Sequence, residues 1–186
     1  MPLSPPSARE RKHTRAITIE GFEREDGLYD IEAHMTDIKT YTFSNKWRGD
    51  ITPGEALHEM RVRVTVDDNF VVHQVEACTD NSPFPLCPDI TPNYEALKGA
   101  TMSRGWRQRI KEVVGGTAGC THITELLYPM ATVAYQTIFP IKRKRAEESG
   151  TPKSTKRPGV INTCHAWAED SPIVKVQAPD FYTGKD

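Results

Sequence analysis

Cys120 and His122 stand two residues apart behind Gly115-Gly116-Thr117-Ala118-Gly119, a run in which three of five residues are glycine. Glycines lack a Cβ, so the backbone N–H groups of such a loop can turn inward. The text that follows keeps helical spacing, so the loop delivers Cys120 and His122 to a helix N-terminus with its partial positive charge. A thiolate is stabilised there and an imidazole titrates near neutral pH, which makes the pair a candidate nucleophile or acid–base couple. A tight loop with Cys120 packed as a small hydrophobe is the plainer alternative. Glu125, three residues beyond His122, falls on the same helical surface.

A second set lies between Tyr29 and Thr42. Tyr29, Ile31, Ala33 and Met35 alternate with Asp30, Glu32, His34 and Thr36, and side chains alternate across a strand. One face of that strand then carries two carboxylates and an imidazole in succession, and a carboxylate beside a histidine can fix its tautomer and raise its pKa. The alternative is a solvated sheet face with ordinary polar residues. Trp47 in a glycine-broken loop and Phe84 in a proline-stiffened one are candidate pocket walls, with Tyr29 and Trp106 as further aromatic lining. A second Cys-His pair, Cys164-His165, returns late in the chain. Cys78, Cys87, Cys120 and His122 are the residues a zinc or iron–sulfur centre would draw on, although their spacing matches no standard metal motif.

These side chains need positioning elements, and the periodicity supplies them. Thr14 to Glu23 reads as a strand, Glu25-Asp26-Gly27 as a turn, and Leu57 to Val66 with Phe70 to Cys78 as a hairpin about Asp67-Asp68-Asn69. Asn45 to Gly54 reads as a loop, and Asn93 to Lys98 as a short helix ended by Gly99. Ser103 is the expected cap of a helix whose Trp106, Ile110, Val113 and Val114 form one apolar stripe. From Thr121 the residues Ile123, Leu126, Leu127, Met130, Val133, Ala134 and Ile138 keep helical spacing, with Pro129 expected to kink the helix. The fold class is therefore α+β, an antiparallel sheet of about four strands with two or three helices packed on one face.

The domain organisation follows composition. Residues 1–12 are Pro/Ser-rich then charged and read as a disordered N-terminus, 13–140 as a single α+β domain, and 141–159 as a mobile basic linker. That linker owes its charge to the seven Lys/Arg between Lys142 and Arg157. Residues 160–180 read as a segment docking back on the domain to complete the site. Of 186 residues 37% are hydrophobic, enough for a modest core, and the formal charge of −1 gives no general attraction to nucleic acid or anionic membrane. No apolar run reaches the length of a membrane span, and four cysteines without a CxxC read as reduced thiols, so the cytoplasm is the expected compartment.

The words His13-Thr14-Arg15, then Gly27-Leu28-Tyr29-Asp30-Ile31-Glu32-Ala33-His34-Met35-Thr36-Asp37, then Gly119-Cys120-Thr121-His122 with Glu125-Leu126-Leu127, together resemble a bacterial family catalogued as a domain of unknown function. The likeness covers about residues 13–139, with Asn162 to Trp167 matching a further piece. It implies a protein of bacteria that degrade aromatic compounds, and a cofactor-independent lyase acting on lignin-derived aromatic dimers such as a phenylcoumaran. It adds His13, Arg15 and Asp37 to the candidates. The order of elements is also similar to that of iron–sulfur scaffold proteins of the NifU and SufE kind, an analogy of fold.

The expected chemistry is then proton abstraction with C–C or C–O cleavage of a phenolic substrate. The catalytic groups are drawn from Asp30, Glu32, His34, Asp37, Cys120 and His122. Substrate is held by His13, Arg15, Tyr29, Trp47, Phe84, Gly119, Glu125 and His165, with no cofactor. Metal handling and non-catalytic small-molecule binding are the alternatives, and the part played by a second copy of the chain is left open. Because Asp30, Glu32 and His34 face away from the apolar side of their strand, His34 and His122 can share one pocket only where the wet sheet face meets the helix N-terminus.

Overall fold

The structure, a computed structural model, describes residues 3–151 and 155–184. The chain divides into two compact units, Met1–Arg145 and Ala146–Asp186.

The first unit is built on a four-stranded antiparallel sheet in the order β1-β2-β5-β6. Its strands are β1 (His13–Glu23), β2 (Tyr29–Lys39), β5 (Ala56–Val66) and β6 (Val72–Asn81). Alternation decides which way each strand faces: along β2, Tyr29, Ile31, Ala33, Met35 and Asp37 are buried while Asp30, Glu32, His34 and Thr36 are half-buried. On β5, Met60, Val62, Val64 and Val66 join the buried row. Against that row pack α1 (Trp106–Val114), through Trp106, Ile110 and Val114, and α2 (Thr121–Glu148), through Ile123, Leu126, Leu127, Met130, Ala134 and Ile138. This is the expected α+β architecture. Trp106 is core, its indole N–H donating to Leu127 O at 2.8 Å. The opposite sheet face stays open and charged.

Several local expectations are corrected. Asn45 to Gly54 is not plain loop: β3 (Phe43–Asn45) and β4 (Gly49–Ile51) form a small separate hairpin, whose turn is closed by the Asn45 side chain accepting from Trp47 and Arg48 N–H. Ser103 does not cap α1; Gly105, at φ 91, precedes it, and Ser103 contributes its carbonyl to Trp106 N–H. The proline-rich loop and the short helix merge into one 3-10 segment, Cys87–Leu97, because prolines supply fixed φ angles without requiring i−4 donors. The α2 helix is continuous across Pro129 and Pro140 and runs on through Glu148, past the composition change after Phe139. Tertiary anchors account for the extra turns: Lys142 donates to Asp68 O at 2.7 Å, and Arg145 reaches the Tyr29 hydroxyl at 3.1 Å and the Glu23 carboxylate.

In the second unit a small apolar cluster of Ile161, Val174 and Ala178, flanked by Trp167, Phe181 and Tyr182, is organised by α3 (Pro172–Gln177) with Ser171 as its N-cap. Among the described residues no helix is long and apolar enough to cross a membrane.

Candidate functional site

Three strand ends and one helix N-terminus meet at the same end of the buried sheet face. Arg15 on β1 is the cross-strand partner of Asp37 on β2, and Asp37 is the partner of His58 on β5. Directly opposed residues on one face have Cβ atoms about 5 Å apart, so pairing register alone lines the three up. A register shift follows between Asp37 and Ile38, and such bulges re-aim side chains where pairing ends. Asp37 is only 2% exposed. Its Oδ1 accepts from His13 Nε2 and Arg15 Nε, both at 2.9 Å, and its Oδ2 accepts from Arg15 Nη2 at 2.8 Å and His58 Nδ1 at 3.1 Å. From α2, His122 Nε2 comes to 3.9 Å of the same Oδ2, and Glu125 accepts from Arg15 Nη1 at 3.2 Å. The His58 and His122 rings lie 3.9 Å apart, tilted by 32°.

Charge follows geometry. Burial pushes the Asp37 carboxyl up, but the bidentate Arg15 guanidinium and His13 outweigh it and hold the pKa at about 2, so the group is an anion at all ordinary pH. Burial and the neighbouring His122 push His58 down to about 4 against the pull of Asp37. His58 is therefore neutral near pH 7, and with Nδ1–H donated to Asp37 its Nε2 keeps a free lone pair. Burial pushes the Cys120 thiol up, yet His122, whose Nδ1 is 3.9 Å from Sγ, and the N–H groups of Ile123 and His122 bring it below the usual thiol range.

Tyr94 in the 3-10 segment positions this helix start. Its hydroxyl accepts from Cys120 N–H at 2.8 Å and sits 2.8 Å from Thr124 Oγ1. Gly119 is required by close approach, since a Cβ there would stand 2.2 Å from Val114 O and 3.0 Å from the Tyr94 hydroxyl. The glycine loop does not present a row of inward N–H donors: those of Ala118, Gly119 and Cys120 go to Gly115 O, Gly116 O and Tyr94.

The expected site residues thus separate. His13, Arg15, Asp37, Cys120, His122 and Glu125 come together. Asp30, Glu32 and His34 lie on the opposite face of the sheet from His122, paired with Thr65 at 2.6 Å, Arg63 at 2.7 Å and Glu59 at 2.9 Å. There Glu32 and His34 border an open groove of about 760 Å³ that is also lined by Thr18, Arg61 and Cys78. Tyr29 is fully buried at the far end of β2, bonded to Arg145. Trp47 and Phe84 form an exposed edge-to-face pair with centroids 5.0 Å apart. Arg48, next to Trp47, is tied to Ala56 O and Leu57 O at the strand end that carries His58. His165 belongs to the second unit, in a 3-10 turn over His165–Trp167. Among the described residues the metal-capable side chains that converge are Asp37, His58 and His122, and none of them is a cysteine.

His58 and Tyr94 escape the sequence reading. His58 had a signal: it shares the alternation of Met60, Val62 and Val64, so it is a polar residue in a buried row, as Asp37 is in the row of Tyr29 to Met35. Tyr94 had none.

Fold and cluster together define an α+β protein with a polar site set into the end of an otherwise apolar sheet–helix interface. The chain belongs to the family described as Protein of unknown function (DUF2889), which it matches over residues 13–136 and hence across every residue of this cluster. No curated protein and no solved structure matches the chain.

Proposed function

We propose that the chain is a lyase working in the cytoplasm on a phenolic aromatic small molecule, by acid–base catalysis at the Asp37–His58–His122 cluster. One observation carries this reading: two adjoining imidazoles lie against one buried carboxylate that Arg15 and His13 keep ionised. A proton removed from substrate by a lone pair of this pair becomes an imidazolium beside a buried anion, which stabilises it. The electron pair left behind breaks the adjacent C–C or C–O bond, and the departing or remaining oxygen gathers charge that Arg15 is placed to bind. Imidazole and carboxylate supply this chemistry themselves. The exposed Trp47–Phe84 pair offers an aromatic ring an edge and a face near the same strand end.

The test is turnover of phenolic lignin-type dimers, a phenylcoumaran among them, with products followed by chromatography. His58→Ala and His122→Ala should each lower kcat by roughly two to four orders of magnitude, the scale of general acid–base groups, while His34→Ala leaves it unchanged. Wild-type rates in both cluster variants would end the reading. A second reading is favoured by the open groove of about 760 Å³ on the other sheet face: non-catalytic binding of a small molecule against His34, Arg61 and Arg63. Ligand affinity that falls in His34→Ala and not in His58→Ala would select it.

A further inference from the structure

We propose that Asp37, His58 and His122 form a binding site for a borderline divalent transition ion of the zinc class. Each residue offers one donor atom, and the three atoms all lie within 4.8 Å of one another. Zinc bonds of about 2.0–2.2 Å to nitrogen and oxygen place neighbouring donors of a tetrahedral site roughly 3–4 Å apart, so the side chains need draw in by only about an ångström. The three donors come from β2, β5 and α2, which fixes their arrangement by the packing of the sheet and helix.

The surroundings suit a cation. Arg15 and His13 already orient the Asp37 carboxylate, as outer-shell hydrogen bonds orient ligands at metal sites. Asp37 and Glu125 against Arg15 leave one net negative charge in the cluster before Cys120 ionises. Two imidazole donors select zinc, cobalt or nickel over magnesium or calcium. A bound cation takes the lone pairs that a substrate proton would otherwise take, so zinc is a reversible inhibitor of the acid–base chemistry.

The inference stands apart from the lyase reading because its readout is occupancy. The full chain, stripped with chelator and titrated with zinc, should take up about one equivalent; cobalt in its place should give the intense visible bands of four- or five-coordination. His58→Gln and His122→Gln should each weaken zinc roughly 100-fold or more, beyond the 10–100-fold typical of an outer-shell partner. A Cys78→Ser/Cys87→Ser variant should bind as wild type. Thermal unfolding of each variant establishes that it is folded, and the wild-type cobalt spectrum provides a readout that needs no variant. No uptake by folded wild type at millimolar zinc, a weak octahedral cobalt spectrum, or unchanged affinity in both histidine variants would overturn the site. Activation of turnover by zinc would instead refute the free-imidazole base and leave the metal site standing.

Discussion

Mild acid should weaken the fold through His58 before the carboxylates titrate. Its pKa falls from 6.5 in the unfolded chain to about 4 in the folded one, so between those values the unfolded chain binds a proton that the native one refuses. Stability then rises with pH across this window and is lost as pH falls through it. A pKa depressed by roughly 2.5, at about 1.4 kcal/mol for each power of ten, amounts to about 3 kcal/mol in full, of which roughly 2.5 kcal/mol is gone by about pH 4.5. Asp37 contributes in the next window: its pKa, lowered from 3.8 to about 2, adds stability that is present above pH 3.8 and lost as pH drops towards 2. Urea unfolding followed by Trp106 fluorescence at pH 7, 5.5 and 4.5 should show the midpoint falling by roughly 1–2 M at ordinary m-values. His58→Gln, whose amide can still donate to Asp37, should flatten the profile above pH 4.5. A wild-type midpoint that does not move over this range, or an equal fall in His58→Gln, would refute the assignment.

Other perturbations test the framework. Tyr94→Phe leaves the Cys120 N–H without its acceptor and should cost about 1–3 kcal/mol in urea unfolding. Gly21→Ala would set a Cβ 2.0 Å from Thr137 Oγ1 and should destabilise by about 1–3 kcal/mol through the β1–α2 contact; adding Thr137→Ala should recover part of that, measured as a double-mutant cycle. Iodoacetamide labelling resolved by peptide mass spectrometry should show Cys120 reacting with a lower pH midpoint than Cys78, because His122 and helix N–H groups lower the first thiol while burial and Asp80 raise the second.

Sequence periodicity went far with the sheet. The row of Tyr29, Ile31, Ala33 and Met35 and the hairpin about Asp68 are legible because side-chain direction in a strand has period two, and one buried face makes that period visible. The site was half legible. Cys120, His122 and Glu125 follow from loop and helix spacing, and Asp30, Glu32 and His34 from the wet row. Combining them fails because alternation sends His34 and His122 to opposite faces. Asp37 lies two residues beyond Met35 and so in the buried row, where only pairing register reveals that Arg15 and His58 stand opposite. That register depends on where β3 and β4 interrupt the chain between β2 and β5, and no local pattern announces it. Likewise the end of α2 is set by Lys142 and Arg145 reaching Asp68, Glu23 and Tyr29 across the fold, contacts that composition cannot display.

The Arg15–Glu125 pair joins residues 110 apart in the chain. Hairpins β1–β2 and β5–β6 close over short loops and can form early, whereas seating the α2 start on β1 must bear the closure entropy of most of the domain. A nascent or partly unfolded chain can therefore hold both hairpins and most of its strand pairing while His122 and Glu125 remain far from Asp37. The cluster is assembled only by this long-range contact, so a population that has lost only the docking of the α2 start would look largely native by secondary structure and yet lack the meeting of His122 with Asp37 and His58.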